Sequence, residues 1–157
     1  MSGPLMQTFL PYSSYARSAA VLDDRRLGKQ VVECRQIGRA LIRRSAGWTR
    51  HPAVLMWDGH LGSLLLYAQA VADQWQHRDH DGMHRAWANT LLDHEQFIRD
   101  PARDMAPPPW LGDDRLHLSH RAALHRKAPD RYPAAWKQYA TSHPDYFWPT
   151  RHPDYGV

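Results

Sequence analysis

The stretch LDDRRLGKQVVEC, Leu22–Cys34, continued by RQIGRALIRR to Arg44, reads as one helix carrying a core stripe and a row of charged groups. At about 100° per residue, Leu27, Val31, Cys34, Gly38 and Leu41 fall within one sector of roughly 80° and form the apolar stripe. Arg26, Lys29, Glu33 and Gln36 fall in the adjacent sector, while Arg25, Arg35 and Arg39 point elsewhere. Asp23 or Asp24 is placed to cap the N-terminus, and Gly47 in SAGW stands near the C-cap. Glu33 is the only acid in the polar row, where desolvation by the core and neighbouring cations set its charge state. Two readings fit it. One is an ion pair with Lys29 four residues earlier, worth a few tenths of a kcal/mol, and the other is a catalytic carboxylate.

Outward from this helix the pattern stays helical. Ser13 or Ser14 can cap a short helix through Leu22. Pro52, after His51, suits a first helical turn, and Val54, Trp57, Leu61, Leu64, Leu65, Ala68, Val71 and Trp75 recur at helical spacing, with a break expected at Asp58–Gly59. HRDHDG reads as a turn and MHRAWANTLLDHEQFI as a further helix. The prolines of RDMAPPPWLG bar helix. Asp114 can then cap RLHLSHRAALHRK, and PAAWKQYATS makes a short final helix before an irregular tail in which HPDY occurs twice. No segment alternates with period two. The expected fold is mainly α, a single compact helical domain over residues 6–157, with MSGPL at residues 1–5 reading as a cloning remnant or disordered leader before an internal start at Met6.

A chain of 157 residues can bury a core without staples, and the single Cys34, on the apolar stripe, can form no internal disulfide. No signal-peptide pattern opens the chain, and LGSLLLYAQAVA is too short and too interrupted to span a bilayer, so a cytoplasmic location is expected. Twenty Lys and Arg against sixteen Asp and Glu give a net charge of +4, which favours a polyanionic partner if folding gathers the cations on one surface. No phosphate-binding loop, dinucleotide fingerprint or serine elbow is present. His77, His80 and His84 lack the further ligands of a tetrahedral site, so no metal and no other cofactor is expected.

Two more groups of residues are candidates. His51, with Arg50 beside it, stands at a helix N-terminus where its ring could meet an anion or a leaving group, or merely cap the helix. His117, His120, Arg121 and Lys127 lie on a basic helix that could follow a phosphate backbone or be simply solvated. Seven Trp and seven Tyr offer surfaces for stacking on a base, and Tyr12 and Trp110, in loops, are the preferred choices.

MQTFLPY, VLDDRRLGKQVVECRQI, GWTRHPAVLMW and WLGDDRLHLSHRAALHRKAPDRY, in that order and followed by a tail with WP, resemble the bacterial pyrimidine dimer DNA glycosylases, grouped with the phage endonuclease V type. The resemblance implies a compact α-helical enzyme, acting as a monomer on damaged or modified duplex DNA. Such an enzyme attacks C1′ with an amine and uses a carboxylate to direct elimination. For those roles the candidates are Glu33, Lys29, Arg26 and His51 in catalysis, and Arg25, Arg50, His117, His120, Arg121 and Lys127 in DNA contacts. The amine departs from the phage pattern, in which a threonine follows the initiator Met, because Thr8 lies inside MQTF. Lys29, desolvated beside Arg26, is a substitute, and water activated by Glu33 needs no amine. The competing readings are a DNA-binding protein without catalysis and an enzyme acting on a small nucleobase compound.

Overall fold

The computed structural model describes residues 6–43, 51–78, 80, 94–96, 98 and 100–155. Among these residues every regular element is helical: α1 (Tyr15–Val21), α2 (Asp24–Arg43), α3 (Pro52–Leu55), α4 (Leu61–His77), α5 (Pro101–Asp104) and α6 (Asp114–Lys127), then 3-10 helices at Ala134–Tyr139 and Pro149–Arg151. The expected mainly α fold is what forms. The C-cap at Gly47 and nearly all of the helix expected over 83–98 lie outside the described residues.

Local chemistry sets the boundaries. Ser14 caps α1, its side chain accepting from the Arg17 N–H at 3.2 Å. Asp23 receives the Leu27 N–H on its carbonyl at 2.8 Å. Its carboxylate instead takes Arg26 at 3.1 Å and the Tyr132 hydroxyl, tying the start of α2 to the segment after α6. Asp24, the first residue of α2, meets Arg78 at 2.8 Å, and the same guanidinium donates to the Ala20 carbonyl at 3.0 Å. One arginine at the end of α4 thus serves a carbonyl that α1 leaves unpaired and an acid at the start of α2.

Gly59, at φ 80°, makes the break before α4. Gly112, at φ 97°, turns the chain so that Asp113, and not Asp114, becomes the N-cap of α6, its carboxylate accepting from the Arg115 N–H at 3.0 Å. The short final helix is 3-10 in form and buries Trp136, which stacks on Tyr132 at 5.6 Å.

α1 and α2 both pack on α4, with Leu27, Ile37, Trp57, Leu64 and Tyr67 among the fully buried side chains. The covered arc of α2 is wider than the apolar stripe and turned toward the polar row. Gln30 and Ile37 are completely buried and Glu33 nearly so, while Val31 and Leu41 are only half-buried and Gln36 is exposed. The reason is a second neighbour. The buried segment Met6–Pro11 carries no helix and runs through the interior held chiefly by side chains. Gln30 accepts the Phe9 N–H at 2.9 Å and donates to the Gln7 carbonyl at 3.0 Å. Tyr67 donates between Gln30 Oε1 at 2.8 Å and the Phe9 carbonyl at 2.7 Å, and the Trp57 indole N–H reaches the Thr8 hydroxyl at 3.1 Å. From α6, His120 Nδ1 accepts the Leu10 N–H at 2.9 Å, His117 Nδ1 lies 2.8 Å from the Leu10 carbonyl, and Arg121 donates to the Pro11 carbonyl at 2.7 Å. Backbone polar groups of Gln7, Phe9, Leu10 and Pro11 are thereby met without a sheet.

Candidate active site

A cavity of about 420 Å³, within the size range of small-molecule sites, opens where this segment, the start of α2, the end of α6 and the tail converge. Glu33 lies in its wall. The carboxyl is 5 % exposed and is raised from its ordinary 4.5 to about 7, first by desolvation, against which the Lys29 ammonium and the Gln7 backbone N–H pull it down. At neutral pH it therefore exists in both forms and can take up or give a proton.

Arg25, Arg26, Lys29 and Lys127 stand around the same cavity. Arg26 is committed to Asp23 and makes no ion pair with Glu33. Lys29 Nζ is 4.0 Å from Glu33, but its side chain is 64 % exposed and not desolvated against the core as expected. Lys127 is the lysine whose ammonium is held below its ordinary range, by desolvation and then by the like charges of Arg26, Lys29 and Arg126. Four cations brought together form the gathered surface that a mild net charge could not establish.

His51 lines the cavity as the N-cap of α3, its Nδ1 accepting from the Ala53 N–H at 3.0 Å. That bond puts the proton of the neutral ring on Nε2. Desolvation, then Arg151, lowers its affinity for a second proton, and its ring meets Trp148 edge-on at 6.2 Å. Phe9, Tyr146 and Trp148 complete the wall with aromatic surface. The tail is placed there by Arg115, which bonds Asp113 at 2.7 Å and Asp154 at 2.8 Å while its guanidinium lies over Phe147, and by Ser119, which accepts the Phe147 N–H at 3.1 Å.

Several residues expected to touch DNA are used by the fold. His117 also accepts the Gly112 N–H on Nε2 at 2.9 Å, which makes it a donor to Leu10 through Nδ1. His120 is fully buried, and desolvation holds its ring neutral down to about 3. Neither ring is on the surface. Arg121 is spent on Pro11 and on the Tyr12 ring, which it shares with Arg17 at 4.6 and 4.1 Å, so Tyr12 offers no open stacking face. Trp110 is 3 % exposed, donates to the Met56 carbonyl at 2.8 Å and packs edge-on against Trp57, so it is core. Arg50 lies outside the described residues. Gln7, Tyr146 and Trp148 were missed. Tyr146 and Trp148 stand in HPDYFWP, in the irregular tail, where no periodicity marks a buried or cavity-facing side chain. Among the described residues no group of three His, Cys, Asp or Glu is placed to hold a metal ion.

The sequence profile of the family described as Pyrimidine dimer DNA glycosylase matches residues 6–88, just over half of the chain. The chain belongs to this family. The match begins at Met6 and includes α2 with Glu33, and membership implies DNA glycosylase activity on a DNA substrate. No curated protein and no solved structure matches the chain.

Proposed function

We propose that this protein excises a base from damaged or modified DNA with Glu33 as the proton-transfer group. The observation that carries this reading is a buried carboxyl, poised near neutrality, in a cavity bordered by four cations and three aromatic rings. The cations suit the phosphates flanking an extruded nucleotide, and the rings suit its base. As carboxylate, Glu33 takes a proton from water while the water oxygen bonds to C1′. The C1′–N bond breaks, and the base leaves with the electron pair and is then protonated. Before it takes that proton, the carboxylate steadies the positive charge that develops on the sugar as the C1′–N bond lengthens.

A lyase branch requires an unprotonated amine in place of water. Lys127, with its depressed ammonium, suits that role better than the solvated Lys29. In a chain that begins at Met6, the Met6 α-amine competes with it from the same cavity wall.

Base release from duplexes carrying single defined lesions tests the proposal. Glu33→Gln abolishes release at unchanged DNA affinity, whereas release by the variant at the wild-type rate refutes the role of Glu33. Wild-type protein that binds these duplexes and releases nothing supports a binding protein. Borohydride with abasic DNA separates the branches: an adduct lost in Lys127→Ala assigns the amine to Lys127, an adduct retained there but lost in Lys29→Ala restores Lys29, and no adduct leaves water.

A further inference from the structure

Gln7 is 6 % exposed and lines the cavity, yet neither its Oε1 nor its Nε2 has a hydrogen-bond partner. Its backbone is tied into the fold: the carbonyl accepts from Gln30 at 3.0 Å, and the N–H favours the charged form of Glu33. The Gln7 backbone is thus anchored in the wall beside Glu33, while the polar atoms of its carboxamide are shielded from solvent and left unmet, so that a partner must press in against them. A buried amide with nothing to bond costs about 1–3 kcal/mol, which an apolar side chain of similar size would avoid. The groups available at the cavity narrow what completes it. A phosphate can accept from Nε2 but has no donor for Oε1, and the apolar faces of Phe9, Tyr146 and Trp148 serve neither atom. An edge that presents an N–H beside an acceptor serves both at once, and the Watson–Crick edge of a nucleobase has that arrangement.

We propose that Gln7 reads the base that enters this cavity, pairing its carboxamide with an N–H and a neighbouring acceptor on the Watson–Crick edge. The inference rests on the excision reading for the source of the base, but not on its chemistry. It favours bases altered away from that edge, at C5 or C6 of a pyrimidine, over bases alkylated at N3, where the donor is lost. Gln7 is a specificity residue, and Glu33 remains the group that moves the proton.

The test is binding by the full-length chain, followed by fluorescence anisotropy. Three duplexes are compared: one with a thymine cyclobutane dimer, one with tetrahydrofuran abasic analogues in place of the dimer, and one with the dimer facing such analogues. Wild-type protein binds the first duplex more tightly than one of the other two, which tells whether the base comes from the lesion strand or the opposing strand. Gln7→Met reduces that preference about ten- to a hundredfold, the range for losing one bidentate base contact, and leaves affinity for the abasic duplex within about twofold. Because the variant removes an unmet amide, its Tm equals or exceeds that of the wild type. A fall in Tm with equal loss of affinity for all three duplexes would make Gln7 a structural residue and overturn the proposal. So would an undiminished preference in the variant, or a wild type that does not distinguish the duplexes. Base-dependent binding through Gln7 without any base release leaves the inference standing and removes the excision reading.

Discussion

Glu33→Gln provides a test that needs no substrate, because the carboxyl proposed to transfer the proton is costly to the fold. Between pH 4.5 and 7 the folded chain holds a proton on Glu33 that the unfolded chain has released. Stability therefore falls as pH rises across that window and stays low above it. A rise from 4.5 to about 7, at about 1.4 kcal/mol per pH unit, amounts to about 3 kcal/mol. The amide is neutral throughout and escapes this cost. Relative to wild type, Glu33→Gln gains about 3 kcal/mol between pH 4.5 and 8, equivalent to a Tm difference growing by about 6–12 °C for a chain of this size. Thermal unfolding of both proteins at half-unit pH intervals reads the difference directly, and taking that difference cancels the histidines that titrate in the same range. A difference that is flat with pH, or one that moves in favour of the wild type, refutes a desolvated Glu33 and with it the origin of the proton-transfer role.

Other outcomes follow from the same contacts. Gln30→Leu leaves the Phe9 N–H and the Gln7 carbonyl without their partner and costs about 2–4 kcal/mol in urea unfolding, with activity lost as the Met6–Pro11 segment loosens. His120 has its folded affinity for protons depressed to about 3, so its contribution is complete above pH 6.5 and is lost as pH falls toward 3. His120→Asn, which can still accept the Leu10 N–H, flattens the acid side of the urea-midpoint profile by about 2 kcal/mol at pH 5. Lys127→Ala reduces the slope of log K against log salt for duplex DNA by about 0.9, the value for one phosphate contact, while His117→Asn leaves the slope unchanged.

Much of the candidate site was legible because it lies on one helix. The wheel of α2 puts Arg26, Lys29 and Glu33 on the border of the apolar stripe, and helical spacing alone is enough to predict that Glu33 meets both the core and cations. Which of those cations matters was not legible. The Arg26 guanidinium is taken by Asp23, and Lys127 stands about a hundred positions along the chain, so its closeness to Arg26 and Lys29 follows only from how α6 packs. The basic pattern HLSHRAALHRK could not distinguish a surface from an interior, because a histidine with both ring nitrogens engaged can be buried as readily as solvated. Here His117 is met on both ring nitrogens, by Gly112 and Leu10, and His120 on Nδ1 by the Leu10 N–H, so both rings lie in the interior.

The sequence by itself determined the helical fold, the boundaries set by Ser14, Pro52 and Gly59, the family, and Glu33 as the residue to watch. These depend on spacing and local propensity, which are properties of neighbours in the chain. Only tertiary structure decided that an N-terminal segment runs through the interior and sets Gln7 beside Glu33, and that the tail closes the cavity with Tyr146 and Trp148. Those placements arise from hydrogen bonds and packing between residues far apart in sequence. The raised carboxyl of Glu33 follows from them, since desolvation depends on what covers a group and not on what precedes it.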